Sequence, residues 1–353
     1  MKPQKDCTID PQELRDKVDP SPALTAAHNK IHKLEAQVKQ LKRDTGLDEQ
    51  VFDFVRSGLT ALHPIPKISL ALKGKRPTVD GHALLTLADA HSEELVLAEE
   101  MEGQAAYSWP VFESRMAQVA DKTLRLTQLM SDAARVRHLT VACLGDWFMG
   151  QIHPDENAYG SSMPLPIALP GCGRVLAEFL MRLSAAFDTV TVIGVCGNHG
   201  RTTMKPVSKA TADRNWDMAC YLIAREFTKR ATNVRWVLPK SVMSVHDILG
   251  YKVLLTHGDC ITITHRTPYF AIEDTFFKEH QARRGTVTDF DFAYIGHFHH
   301  EFQLRGEIVG VPSMIGPSQY GRNKLHTKAP AGQRLDFFTE KHGRTVIWPL
   351  DLE

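Results

Sequence analysis

Apolar positions between Leu24 and Leu41 recur at Leu24, Ala27, Ile31, Leu34, Val38 and Leu41, alternating steps of three and four. That spacing predicts a helix of about three heptads. Two readings of it stand side by side: an amphipathic helix packed on its own domain, and a short coiled coil that would build a homo-oligomer. Its polar faces carry Lys30, Lys33, Lys39, Lys42 and Arg43, either a solvated surface or an arm that touches phosphates. From His63 to His82 the string "HPIPKISLALKGKRPTVDGH" is punctuated by proline and glycine and reads as a connector. The predicted organisation is a helical segment with its connector over 1–75 and a main domain over 76–353.

Beyond the connector, short apolar runs alternate with helical spacing. "ALLTLAD" is followed by a helix around "VFESRMAQVADKTLRLTQLM", then "HLTVACLGD", a helix around "RVLAEFLMRLSAAF", and "TVTVIGVCGNH". Such alternation predicts an α/β domain with substantially parallel strands. "YKVLLTHGD", "FAYIGHFHH", "GEIVGVPSM" and "RTVIWPL" come later with fewer helices between them and predict a second sheet. No internal repeat or low-complexity tract interrupts the pattern.

With 353 residues and 43% hydrophobic content, the chain can bury the core of one large domain plus an appendage. A formal net charge of +1 supplies no global field toward nucleic acid or membrane, so an anionic partner must be held by a local cluster. The six cysteines show no paired spacing and no CxxC, which predicts reduced thiols used as core filler in a cytoplasmic protein. No apolar run approaches the roughly 20 residues that span a bilayer, and the first residues lack the apolar stretch of a secretory leader. Membrane association and secretion are therefore not expected.

The chemistry gathers where the apolar runs stop. In α/β sheets functional groups collect just beyond the carboxyl ends of strands, where the backbone leaves the sheet. Five predicted strands end in residues of metal-ligand type: Asp89 and His91 in "LADAH", Asp146 in "LGD", Asn198 and His199 in "GNH", His257 in "LTHGD", and His297 and His299 in "GHFHH". On an extended segment residues i and i+2 point to the same side, so Asp89 with His91, and His297 with His299, can each present a pair to one locus. Glycines at 145, 197, 200, 258 and 296 let the backbone turn away sharply. Carboxylate, amide and imidazole together make a mixed oxygen and nitrogen shell, suited to manganese, iron or zinc rather than to thiolate clusters. Two divalent ions about 3.5–4 Å apart would need a bridging carboxylate, for which Asp146 is the natural choice.

The ordered series of Asp89-x-His91, Gly145-Asp146, Gly197-Asn198-His199, His257 and Gly296-His297-x-His299 resembles the calcineurin-like metallophosphoesterase superfamily, over residues from about 80 to 320. The longer strings "GDWFMGQIH" and "GNHGRTTMKP" are similar to a phage-type branch of it, related more distantly to DNA-repair nucleases that include a bacterial exonuclease and its eukaryotic counterpart. The resemblance implies a four-layer αββα sandwich with two mixed β-sheets, here with an N-terminal helical extension. It implies one divalent ion on Asp89, His91 and His299, a second on Asn198, His257 and His297, and Asp146 between them. Manganese is the first choice, with iron, zinc or magnesium as alternatives. A hydroxide bridging the ions would attack phosphorus in line, His199 would protonate the leaving oxygen or stabilise the transition state, and Arg201 is a candidate for holding a non-bridging phosphate oxygen. DNA is the expected substrate, in the host cytoplasm if the chain is phage-encoded.

Three further residues are candidates for substrate contact: His153 in "GQIHPDEN", Lys205 in "GRTTMK" and Arg322 in the basic stretch "YGRNKLHTK". His153 could equally serve behind the ligands, and the basic stretch could equally be plain surface, while His265 and His300 read as structural or exposed. "GDWFMG" could itself be the first motif only if position 148 were histidine, and it is Phe148. Protein phosphatases of the superfamily carry a further Asp and Arg after the GD motif and a Glu after GNH, which this chain lacks. Gly200 also stands where the repair nucleases commonly have Asp. Three functions compete: a metal-dependent nuclease, a phosphatase or small-molecule phosphodiesterase, and a non-catalytic scaffold of the same fold.

Overall fold

The computed structural model describes residues 62–68, 78–152, 160–263, 268–325 and 328–353. In chain order the elements are β1 (Asp80–Leu87), α1 (Trp109–Met130), β2 (Arg135–Cys143), α2 (Leu165–Ser184), β3 (Thr189–Gly194), α3 (Trp216–Phe227), β4 (Val234–Val237), β5 (Met243–Ile248), β6 (Tyr251–Thr256), α4 (Pro268–Arg283), β7 (Phe292–Ile295), β8 (Phe302–Leu304), β9 (Ile308–Gly310), a π-helical turn (Gly321–Leu325), β10 (Gly332–Thr339) and β11 (Gly343–Asp351). They belong to a compact unit, Leu59–Glu353. The heptad segment 24–41 and the boundary drawn at 75/76 lie outside the described residues.

The three β-α crossovers lay β1, β2, β3 and β4 side by side and parallel, because a parallel pair can be joined only by a chain that returns across the sheet. β10 and β11 add antiparallel strands beyond β1, giving the order β11-β10-β1-β2-β3-β4. The second sheet runs β5-β6-β7-β9-β8, parallel from β6 to β9 and antiparallel at both edges. Both sheets are therefore mixed.

Alternation along the strands stacks four layers. Leu84, Ala142, Leu144 and Ile193 of the first sheet and its exits pack on Val253, Leu255, Tyr294 and Val309 of the second. Leu254, between Val253 and Leu255, faces the other way and joins Ala293, Ile295 and Ile308 against Ile272 and Phe276 of α4. On the opposite side α1 packs on β2 while α2 and α3 pack on β3. Each fully buried Leu, Ile or Phe in these layers contributes about 1.5–3 kcal/mol relative to exposure. The result is an αββα sandwich.

The strand ends that matter point to one place. β1, β2 and β3 finish just before Asp89, Asp146 and Asn198, and β6 and β7 just before His257 and His297. Among the described residues no helix is long and apolar enough to cross a membrane. The described cysteines are free thiols, but Cys260 is exposed rather than core filler, because it lies on the loop that leaves the sheet after His257.

Candidate metal centre

Asp89, His91, Asp146, His297 and His299 all have left-handed backbones, with φ of 52°, 41°, 53°, 67° and 58°. An L residue in that region costs roughly 1–2 kcal/mol. The pairs Asp89/His91 and His297/His299 therefore converge through sharp turns, not through the alternation of an extended strand expected from their spacing. Local hydrogen bonds hold the turns. Asp89 N–H donates to Gly145 O at 3.1 Å and His91 N–H to Asp146 O at 3.1 Å. His297 N–H donates to Asp89 Oδ2 at 3.0 Å. The exits of β1, β2 and β7 are thus tied to one another. Gly145 and Gly197 meet backbone to backbone, and a Cβ on either would overlap the other loop. A Cβ at position 200 would likewise run into Asn215 Oδ1, so the loop requires glycine there.

All eight side chains of the predicted series lie in this one site. Donor atoms of Asp89, His91 and His299 fall within 4.8 Å of one another, as do those of Asp146, His257 and His297. A third set, His91, Asp146 and His199, links the first two. Asp146 therefore reaches both sides. Asn198 Oδ1 lies 3.1 Å from His257 Nε2, and His257 Nε2 lies 3.0 Å from Asp146 Oδ2. His299 Nε2 is 3.4 Å from Asp89 Oδ1. Phe148 is fully buried in the core and offers no ligand, which leaves Asp89 and His91 as the first pair.

The electrostatics suit a cation. Asp89, His91, Asp146 and His257 are almost wholly buried, and among the described residues no lysine or arginine pairs with either carboxylate. Burial opposes ionisation of Asp146, but His257 and then His199 override it and hold the carboxyl well below its usual range. Burial opposes ionisation of Asp89 too, and His299 pulls it below the ordinary value. Burial, reinforced by His199, drives His91 down to about 3, and burial with His257 drives His297 to about 4, so both rings are neutral donors. Against burial, Asp146 lifts His257 to about 10, and Asp89 lifts His299.

Two details test whether the residues fit a metal. Among the described residues neither buried ring nitrogen of His91 has a hydrogen-bond partner, the Glu94 carboxylate standing off Nδ1 at 3.7 Å, and leaving such a group unpaired costs about 1–3 kcal/mol that coordination of one nitrogen would reduce. His257 Nδ1 lies 2.7 Å from Leu144 O, an atom that can only accept, so Nδ1 carries a proton and Nε2, facing Asp146 and Asn198, is the nitrogen free to coordinate once deprotonated. Buried carboxylates, an amide oxygen and imidazoles form the donor set of a divalent cation, and the residues fit.

His199 stands beside these donors: its N–H donates to Asp146 Oδ1 at 2.8 Å, and its Nδ1 lies 2.9 Å from Met149 O. Arg201 is on the same loop, with Nε donating to Thr203 O at 3.0 Å, Nη1 to Asn198 O at 3.3 Å and Nη2 to Met204 O at 3.3 Å. It braces the loop that carries Asn198 and lines a cavity with Arg214 and Asp259. Lys205 is exposed farther along that loop. Arg322 pairs with Glu102 and donates to Glu100 O at 3.3 Å, so the structure engages it with that turn. His153 lies outside the described residues. The sequence reading missed Glu93, buried and pushed up to about 7 by desolvation, whose carboxylate accepts Gly150 N–H at 3.1 Å. It also missed Asn215 and Asp217, for which the only signal was a helix-capping pattern, Asn followed two residues later by Asp.

No family model and no curated protein matches the chain. Among solved structures it is similar to vacuolar protein sorting 29 from Cryptosporidium parvum, at 12% identity and TM-score 0.32, covering 77% of this chain and 99% of that one. It is also similar to a predicted phosphoesterase from Streptococcus pneumoniae, at 13% identity and TM-score 0.31, covering 78% and 99%. A third is Vps29 complexed with Zn from Entamoeba histolytica, at 13% identity and TM-score 0.29, covering 77% and 99%. Likenesses at this level carry no weight for function, which rests on the site itself.

Proposed function

We propose that the chain is a metal-dependent phosphoester hydrolase acting on phosphodiesters, with DNA as its substrate. The observation that carries the reading is Asp146, buried and placed between two donor clusters, with His199 on the same wall. Divalent cations, if bound there, would supply Lewis acidity toward phosphoryl oxygens and toward a water.

In this reading Asp89, His91 and His299 hold one cation, Asn198, His257 and His297 hold the other, and Asp146 serves both. His199 gives a proton to the leaving oxygen, held in place by its contacts to Asp146 and Met149. Arg201, anchored beside Asn198, meets a non-bridging phosphate oxygen, and Lys205 extends the positive rim along the backbone of the substrate. That rim and the resemblance of "GNHGRTTMKP" favour DNA over a phosphoprotein.

The test incubates purified protein with Mn²⁺ and, in parallel, single-stranded DNA, duplex DNA, a phosphodiester reporter and a phosphomonoester reporter. Hydrolysis of DNA and of the diester reporter is expected. Cleavage of the monoester alone would replace the reading with a phosphatase, and inertness toward all four with metal bound would replace it with a scaffold.

A further inference from the structure

Asp217 sits 71 residues from Asp146 in the sequence yet touches the metal loops on both sides. It is the second residue of α3 and wholly buried. Its Oδ2 accepts the backbone N–H of Asp146 at 2.9 Å and of Gly197 at 2.8 Å, and its Oδ1 accepts that of Trp147 at 3.0 Å. One carboxylate thus bonds the exits of β2 and β3, immediately before Asn198 and at Asp146 itself. The helix start completes the clamp. Asn215 Oδ1 caps Asp217 N–H at 2.9 Å while Asn215 Nδ2 donates to Gly197 O at 2.7 Å, and Trp216 N–H donates to Gly200 O at 2.6 Å.

A carboxylate is an expensive way to fasten two loops. It is wholly buried beside Asp146, another carboxylate. Three convergent N–H donors and the positive end of α3 oppose that cost. A hydroxyl or amide would meet the same helix cap without adding a like charge. Only an acceptor with two oxygens can bind three donors from two loops with no donor of its own in the way. We infer that Asp217 is a positioning residue, fixing the separation of the Asp146 and Asn198 loops and so the geometry in which divalent cations are held. The inference rests on the metal centre proposed above.

The experiment measures Mn²⁺ binding by calorimetry, in the absence of substrate, for wild type, Asp217→Asn and Tyr221→Phe. Tyr221 lies one turn along α3 and bonds Trp147 Nε1 and Val195 O, contacts of the same helix that do not reach the backbone of Asp146 or Gly197. Asp217→Asn is expected to weaken Mn²⁺ binding about 10- to 100-fold, the usual effect of losing a partner behind the ligands. Tyr221→Phe is expected to keep wild-type affinity while lowering the melting temperature. On a hydrolysable diester, Asp217→Asn should lose kcat at saturating Mn²⁺ with KM little changed. Wild-type Mn²⁺ affinity in folded Asp217→Asn overturns the inference, as does an equal loss in Tyr221→Phe. If Asp217→Asn melts too low for calorimetry, the rise of its melting temperature with Mn²⁺ concentration reads the same affinity, and no folding at any concentration would make Asp217 a residue of core stability alone. Because binding is read without substrate, an inactive wild type would defeat the hydrolase reading and leave this result standing.

Discussion

Asp146 Oδ2 and His257 Nε2 stand 3.0 Å apart with both side chains buried, one delivered by the first sheet and the other by the second. The contact joins the two halves of the sandwich at the site. It also stores a proton, since Asp146, against the opposing effect of burial, lifts His257 to about 10.

A cation that takes His257 as a ligand must therefore displace that proton at neutral pH, because only the neutral ring coordinates. Calorimetric titrations with Mn²⁺ in buffers of different ionisation enthalpy are expected to show net proton release and affinity that strengthens as pH rises through the neutral range. Buffer-independent heats would contradict the role of His257.

His199 is expected to behave differently from the ligands. His199→Ala should lower turnover of a phosphodiester by roughly 100- to 10,000-fold while leaving bound metal largely intact. Its place in the third donor cluster makes the alternative concrete. Loss of metal together with activity, read by elemental analysis, would make it a ligand.

Gly145 combines φ of +89° with the backbone of Gly197 lying against it. Gly145→Ala is expected to destabilise by at least about 1–3 kcal/mol from the backbone conformation alone, with overlap adding to it. Urea unfolding measures this, and an unchanged midpoint would mean the loops can part freely.

Away from the metal site, His82 of β1 lies 2.9 Å from Thr140 Oγ1, with His138 and His246 nearby, and burial, followed by the influence of those two rings, lowers it to about 3. Its ordinary value is 6.5, so between the two the unfolded chain binds a proton that the folded chain refuses. The stability held by neutral His82 is complete above pH 6.5 and is lost as pH falls toward about 3. In His82→Gln the urea midpoint is expected to vary less steeply with pH in this window. An equally steep dependence would place the acid sensitivity elsewhere.

The parts of this architecture that were legible are those where burial and chemistry change abruptly. Apolar runs that end at Asp89, Asp146, Asn198, His257 and His297 announced both the strands and the site. β10 was not legible, because Arg334 and Asp336 interrupt its apolar pattern and become acceptable inside by pairing with each other at 2.9 Å and with Glu301, Tyr294 and Arg344 from other parts of the chain. α4 was hidden for another reason: Ile272 and Phe276 are buried while Phe270 and Phe277 are exposed, so no clean apolar stripe marks it. α3 is only 12 residues long, and Asp217 gains its meaning from partners 20 and 71 residues away, which no local spacing reveals. The left-handed turns at five donor residues were equally invisible, being imposed by contacts between loops.

The most direct measurement is the metal content of wild type and Asp146→Asn after loading with Mn²⁺ and removal of excess, read by elemental analysis beside a diester hydrolysis assay. Two ions per wild-type chain are expected, with content and activity both falling sharply in the variant. A wild-type chain that retains no metal, or an Asp146→Asn chain that keeps full occupancy and turnover, would contradict the account.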